Sequence, residues 1–155
     1  MADLVPLAGT DAVRTRLPAG NKRALFARLA AIGEALTGIG RADVLRALQD
    51  REREGTTGLG GGVAVPHGRL EGLSGVTGFF TRLSSPVAYD ALDDQPVDLV
   101  FTLLSPPEAG VDHLKALAAV SRALRDRGTL DKLRGARTRD AMFALLHGDT
   151  PGNGA

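Results

Sequence analysis

The sequence predicts an α/β fold in a single domain, with a mixed central β-sheet and helices packed on both faces. A helical period of apolar residues follows Asn21, extended apolar segments fill the middle of the chain, and helical spacing returns after Asp112. Helices before and after a block of strands favour a sandwiched sheet. A chain of 155 residues is long enough for one such core, and no internal repeat or linker divides it.

Two helices are predicted in the first third of the chain. The first follows Asn21, a candidate N-cap, and the second ends at the stop signal Gly55. The inward residues of the first helix are Leu25, Leu29, Ile32 and Leu36. Those of the second are Val44, Leu45 and Leu48.

Four extended segments are predicted as strands, and two helices follow them. The strands are residues 63–65, 76–83, 87–89 and 97–104. The last is nearly all apolar, which is typical of a central strand covered on both faces. The later helices follow Asp112 and Thr138, the second with Met142, Phe143 and Leu146 inward. We therefore expect a domain over residues 1–147 and a flexible tail over 148–155.

Composition excludes several classes of function. The chain has no cysteine, which removes thiol nucleophiles, thiolate metal sites and disulfides, and fits a cytoplasmic protein. Its 19 basic and 18 acidic residues and 4% aromatics give no general attraction for nucleic acid. No run of about 18 apolar residues exists, so no direct membrane insertion is expected.

The most informative stretch, residues 58–68, is a glycine-rich loop that leads into a short apolar strand ending at Pro66 and His67. The stiff Pro66 and the small Gly68 indicate that the histidine is presented and not buried. An imidazole with a reference pKa of about 6.5 can attack phosphorus or move a proton near neutral pH, provided that its other ring nitrogen is held. The alternative is a turn histidine without a role.

The other two histidines are interpreted differently. His113 follows the proline-rich end of the last predicted strand, and residues 65–67 also end a strand. Because ligand crevices border the carboxyl ends of strands, His67 and His113 could share one rim. His147 lies beside a predicted helix end, where a structural role with the terminal carbonyls is favoured.

A phosphoryl group at His67 would require hydrogen-bond donors and positive charge. Thr56, Thr57 and the loop amides from Gly58 onward can donate, and Arg51 can supply a planar cation unless it is only a solvated surface residue. The glycine loop lacks the Lys-Ser/Thr ending of a nucleotide-binding loop, so no nucleotide cofactor is predicted. Asp93-Asp94 is interpreted as a turn and not as a metal site.

These residues together resemble the enzyme IIA domains of the bacterial phosphoenolpyruvate-dependent phosphotransferase system, of the fructose/mannitol class and especially its nitrogen-regulatory branch. The resemblance covers most of the chain. The residues that show this resemblance are 22–25, Arg51-Glu52, 57–60, 62–68, 90–93, 95–99 and His113-Leu114.

The resemblance implies that His67 accepts a phosphoryl group from a small HPr-like carrier protein. It implies charge stabilisation by Arg51, hydrogen bonding by His113 and contacts to the phosphoryl oxygens from the loop at Thr57 and Gly58 and from Gly68. Neither a metal nor another cofactor is needed. A carrier-binding surface around His67 should hold apolar residues, and the candidates are Leu59, Leu70 and Leu73.

Three functions remain open from the sequence. In the first, the phosphorylation state of His67 controls the binding of targets, which in relatives include potassium transport systems and sensor kinases. In the second, His67 passes the group to an enzyme IIB for sugar uptake; the chain carries neither a fused IIB domain nor a membrane segment, which favours regulation. The third is an unphosphorylated binding module or a small histidine-dependent hydrolase, for which Ser74, Ser84 and Ser85 lack a nucleophile motif.

Overall fold

The computed structural model describes residues 9–147, so the predicted tail at 148–155 lies outside the described residues. A short 3-10 turn at Thr10–Ala12 precedes the first strand. The strands are β1 (Val13–Leu17), β2 (Gly58–Gly60), β3 (Val63–Ala64), β4 (His67–Arg69), β5 (Thr77–Val87) and β6 (Val97–Ser105). The helices are α1 (Lys22–Thr37), α2 (Arg41–Glu52), α3 (Gly110–Ala123), α4 (Arg127–Gly135) and α5 (Arg139–His147).

One mixed sheet forms the centre of the domain. Its order is β1-β5-β6-β3-β2, and β4 also pairs with β6, further along that strand than β3. The β5–β6 and β2–β3 pairs are antiparallel, whereas β1 pairs parallel with β5 and both β3 and β4 pair parallel with β6. The predicted fold class, with a mixed sheet between helices, is confirmed.

The side chains of β6 alternate between two hydrophobic cores, as the period of a strand requires. Val100 and Leu104 pack with buried residues of α1 and α2, such as Leu29 and Val44. On the opposite face, Leu99, Phe101 and Leu103 join residues of α3, α4 and α5, among them Val120, Leu133 and Met142. The buried β6 is therefore the central strand that its apolar run predicted.

The first helix pair brings the end of α2 to the sheet. Asn21 caps α1 as predicted, since its Oδ1 accepts from the Ala24 amide at 2.7 Å. The two helices approach closely at Gly33, where an added Cβ would lie 2.8 Å from Val44 Cγ1. Helix α2 ends at Glu52, ahead of the predicted stop at Gly55, and its last two turns pack on β4.

Several predicted elements need correction. The strand over 87–89 is wrong, because β5 runs on to Val87 and the chain then leaves the sheet and turns at Asp90, whose φ is 64°. His67 does not end the strand at 63–65; it begins the separate strand β4. Strand β1 and helix α4 were not predicted, because their apolar residues are interrupted by arginines and other charges.

Candidate functional site

The imidazole of His67 is held at both ring nitrogens. Nδ1 lies 2.8 Å from the Val65 carbonyl oxygen, and Nε2 lies 3.1 Å from Nε of Arg51. A carbonyl can only accept and a guanidinium N–H can only donate, so Nδ1 carries the proton and Nε2 carries a lone pair. The ring is therefore a neutral imidazole whose Nε2 is the nucleophilic nitrogen.

The surroundings of His67 favour this neutral form. Burial lowers its pKa below the ordinary 6.5, the Val65 carbonyl opposes that effect, and the charge of Arg51 lowers the pKa further. The position of His67 before Gly68 had indicated an exposed side chain. In the structure His67 is half-buried. An unprotonated Nε2 near neutral pH is what a nucleophilic role needs.

Arg51 lies in the last turn of α2, where the helix packs against β4. Besides Nε, its Nη1 donates to the Gly55 carbonyl oxygen at 3.0 Å. The two hydrogen bonds fix the plane of the guanidinium against the His67 ring. Arginine is suited to this position because its donors are arranged in a rigid fork.

His113 lies at the start of α3, and the structure brings its ring beside that of His67. The ring centroids are 5.6 Å apart with an interplanar angle of 49°. His113 is only 6% exposed, and its Nδ1 lies 2.6 Å from Ser105 Oγ. Burial lowers the pKa of His113 to about 4, and the positive charge of Arg69 acts in the same direction. Its ring is therefore neutral at physiological pH.

Arg69 is a second cation at this site, and it was not predicted from the sequence. It lies two residues after His67 on β4, and its Nη1 donates to the carbonyl oxygens of Pro106 at 3.5 Å and Pro107 at 3.3 Å. Because strand side chains alternate, the spacing of two was a usable signal that the two side chains share a face.

These side chains line one cavity of about 370 Å³. Arg51, His67, Arg69 and His113 supply two cations and two neutral imidazoles, while Asp50 and Glu54 add carboxylates to the lining. Arginine guanidinium groups and ring N–H donors are suited to bind phosphate oxygens. The cavity can therefore accept a phosphate-sized anion next to Nε2 of His67.

Thr57 does not face the cavity at His67 but forms hydrogen bonds with Glu52 and Tyr89. Its buried hydroxyl lies 2.6 Å from Glu52 Oε1 and 2.7 Å from the Tyr89 hydroxyl, and its amide donates to Glu52 Oε2 at 2.9 Å. Lys22 Nζ also donates to that carboxylate at 2.9 Å. Burial and the charge of Glu52 raise the pKa of Tyr89, which stays a neutral phenol. These hydrogen bonds hold Thr57, in the segment that follows α2, against Glu52, the residue next to Arg51.

The two glycines predicted to bind phosphate permit close packing. A Cβ on Gly58 would lie 2.6 Å from Ala91 Cβ, and one on Gly68 would lie 2.7 Å from the Ala47 carbonyl oxygen. Gly68 lines the cavity at His67, whereas Thr57 and Gly58 are not among the described residues that line it. Gly68 thus lets α2 approach β4 closely enough for Arg51 to reach His67.

The glycine-rich turn at Gly60–Gly62 lies away from His67. Its neighbour Val63 pairs with Leu99 and His67 pairs with Leu103, four residues or about 13 Å further along β6. All three glycines have positive φ, and the Gly61 amide donates to Asp93 Oδ2 at 3.0 Å. The structure does not bring these amides to the histidine; they form a tight β2–β3 turn.

Two further predictions concern residues outside the cavity. The chain turns at Asp93-Asp94 as expected, with the Asp94 amide donating to the Ala91 carbonyl oxygen at 3.0 Å. His147 ends α5 and stacks on Phe143, with centroids 5.0 Å apart. His147 thus makes a ring contact and lies in the last turn of α5, where its interaction with the helix end stays a prediction. No helix within residues 9–147 is long and apolar enough to cross a membrane.

The fold and the site define an α/β domain that holds a neutral histidine between an arginine and a second histidine. The chain belongs to the family of the phosphoenolpyruvate-dependent sugar phosphotransferase system, EIIA 2, whose model matches residues 8–148. The resemblance seen in the sequence is confirmed.

Within this family, the chain is similar to proteins of the nitrogen-regulatory branch. The chain is 43% identical over 143 residues to a nitrogen regulatory protein of Bradyrhizobium diazoefficiens, covering 92% of this chain and 94% of that protein. It superposes on the crystal structure of nitrogen regulatory protein IIA-Ntr from Neisseria meningitidis with a TM-score of 0.85 and 33% identity, over 94% of this chain and 97% of that one.

A second similar structure shares the fold alone. Enzyme IIA for mannitol from Escherichia coli, solved in complex with phosphorylated enzyme IIB, gives a TM-score of 0.76 at 20% identity, over 90% of this chain and 96% of that one. Taken together, the family and its nitrogen-type relatives support a phosphoryl-accepting regulatory protein better than the alternatives.

Proposed function

We propose that Nε2 of His67 accepts a phosphoryl group from a phosphohistidine on an HPr-like carrier in the cytoplasm, and that the phosphorylation state controls the binding of target proteins. The observation that carries this proposal is the 3.1 Å hydrogen bond from Arg51 Nε to an unprotonated Nε2 inside a cavity with a second arginine. That geometry combines a nucleophile with cations for the incoming oxygens.

The proposed transfer is a displacement at phosphorus. The Nε2 lone pair of His67 attacks the phosphorus atom, the bond from phosphorus to the carrier nitrogen breaks, and its electron pair returns to the carrier imidazole. Arg51 turns its Nε–H from Nε2 to a phosphoryl oxygen, and Arg69 adds a second positive charge. The Val65 carbonyl stabilises the positive charge that develops on the His67 ring, because it keeps the Nδ1–H bond at 2.8 Å.

The carrier would dock on an apolar surface beside His113. Val111 and Leu114, on the first turns of α3, are 65% and 63% exposed. Of the three leucines predicted for this surface, Leu70 is wrong, because it is 4% exposed and belongs to the core. Leu73 is partly buried against the core, and Leu59 is 37% exposed on β2, beside the glycine turn that lies away from His67.

A charge variant tests the docking surface. Leu114→Asp should slow transfer from the phosphorylated carrier at least tenfold, because it places a buried charge in the interface. Leu92→Asp is the matched control, since Leu92 is a 74% exposed leucine outside α3, in the turn before Asp93. Equal transfer rates for the two variants would reject this placement.

Phosphorylation would change the charge at the end of α2. A phosphoryl group adds about two negative charges near pH 7, and Asp50 and Glu54 lie in the same cavity. Repulsion from these carboxylates would alter the surface that a target contacts. Potassium transport systems and sensor kinases are the target classes that we propose, and transfer to an enzyme IIB is the second candidate function.

Mass spectrometry of the intact protein tests the acceptor. Wild type, His67→Ala and His147→Ala are incubated with phosphoenolpyruvate, enzyme I and the HPr-like carrier, then measured at alkaline pH. A single phosphoryl adduct on wild type and His147→Ala, absent from His67→Ala, is the expected result. Loss of the adduct on addition of an enzyme IIB would favour the transport role; an adduct on His67→Ala would contradict the proposal.

A further inference from the structure

Ser105 is a buried residue that the transfer scheme above does not use. It ends β6, pairs in register with Arg69, and has no solvent exposure. Its Oγ lies 2.6 Å from Nδ1 of His113. This short contact joins the end of the central strand to the first turn of α3.

The direction of this hydrogen bond follows from the partners available. Within residues 9–147, Ser105 Oγ has no other hydrogen-bond partner than His113 Nδ1. If Nδ1 donated, the serine hydroxyl hydrogen would be buried without an acceptor, which is unfavourable. If the hydroxyl donates, Nδ1 accepts and both groups are satisfied. The second arrangement leaves the imidazole proton of a neutral His113 on Nε2.

We infer that Ser105 is a positioning residue that holds His113 in the Nε2–H tautomer, so that His113 donates a hydrogen bond to a phosphoryl group on His67. This inference rests on the proposed function for the identity of the acceptor group. The lowered pKa of His113 agrees with it, because a neutral ring has a defined tautomer.

The two histidines are thereby set to opposite tautomers by partners of opposite kind. A carbonyl, which can only accept, holds the proton of His67 on Nδ1 and frees the lone pair of Nε2. A serine hydroxyl that donates to Nδ1 of His113 places an N–H on Nε2 of that ring. With ring centroids 5.6 Å apart in one cavity, the site contains a nucleophile and a donor from the same residue type.

Nitrogen NMR of histidine-labelled protein tests the tautomer without phosphorylation. Long-range ¹H–¹⁵N spectra of wild type should show His113 with Nε2 protonated and Nδ1 as a hydrogen-bond acceptor. In Ser105→Ala the His113 nitrogen signals should move, and transfer from the carrier should slow about tenfold or more, as expected for a misplaced donor. Ser105→Thr, which keeps the hydroxyl, should restore the His113 signals and most of the rate.

Thr102→Val is the matched control. Thr102 is also a buried hydroxyl residue of β6, and its Oγ1 has no hydrogen-bond partner among the described residues. This variant should leave the His113 nitrogen signals and the transfer rate at wild-type values, and backbone amide spectra of each variant establish that it folds.

Two results would overturn the inference. One is a wild-type His113 protonated on Nδ1. The other is Ser105→Ala with unchanged His113 nitrogen signals, whether or not transfer slows, since Ser105 would then have no effect on the ring. If wild type is never phosphorylated while the tautomers are as expected, the proposed function fails and the tautomer assignment stands.

Discussion

Gly68→Ala is the substitution whose effect the structure defines most closely. A Cβ at this position would lie 2.7 Å from the Ala47 carbonyl oxygen and 2.9 Å from its carbonyl carbon. Both are backbone atoms of α2, so no side-chain rotation relieves the clash. To reach an ordinary contact of 3.4 Å from 2.7 Å, α2 and β4 must separate by about 0.7 Å.

The separation would act on Arg51, which lies one helical turn after Ala47. Its Nε is 3.1 Å from His67 Nε2, and a shift of about 0.7 Å in the same direction takes the pair beyond hydrogen-bond distance. Overpacking of this kind costs about 1–3 kcal/mol of folding free energy. For a domain of this size that lowers the melting temperature by about 2–4 °C per kcal/mol.

The assay combines thermal unfolding by circular dichroism with the rate of phosphorylation by the carrier. Gly68→Ala should melt several degrees lower and accept phosphate at least tenfold more slowly than wild type. Gly75→Ala is the control, since its Cβ would meet nothing within 4 Å. A Gly68→Ala protein with wild-type melting temperature and wild-type transfer rate would refute the role assigned to this close approach.

Three further predictions concern the groups around His67. Arg51→Lys keeps the charge but loses the hydrogen bonds to His67 and Gly55. Phosphoryl transfer, measured by rapid-quench kinetics, should therefore slow about 10- to 100-fold. The control Arg53→Lys should leave the transfer rate unchanged. Because burial lowers the pKa of His67, the pH at which the transfer rate falls to half its maximum should lie below the ordinary imidazole value of 6.5; a half-maximal rate at or above pH 6.5 would contradict this. Glu52 accepts three hydrogen bonds, and Glu52→Gln replaces one accepting oxygen by an NH2 group, so at least one donor of the network loses its acceptor. The free energy of unfolding in urea should fall by about 1–3 kcal/mol, and an unchanged value would reject the network.

The sequence was informative about the histidines because their signals are local. His67 follows Pro66 in an apolar segment, and His113 follows the end of the longest apolar run, so both could be placed at strand ends. The structure brings them together because both elements flank the same end of β6. Arg51 could be predicted for the same reason, since it lies in the last turn of a helix with a clear apolar period.

Residues that act through distant partners were harder to find. Ser105 lies just after the last predicted strand, 97–104, and its contact with His113 depends on how α3 returns over β6. The Glu52–Thr57–Tyr89 contacts span 37 residues of sequence and have no periodic signal. The glycine-rich loop was predicted to donate amides to a phosphoryl group, but Gly60–Gly62 form a tight turn with positive φ. Both roles favour glycine, so the sequence does not distinguish them.

Phosphorus NMR of ¹⁵N-histidine-labelled protein, phosphorylated through the carrier, identifies the nitrogen atom that holds the phosphoryl group. We expect one phosphohistidine, with phosphorus coupled to Nε2 of His67 and with a proton retained on Nδ1 toward the Val65 carbonyl oxygen. Coupling to Nδ1, or to a nitrogen of His113 or His147, would contradict the assignment of Nε2 as the nucleophile.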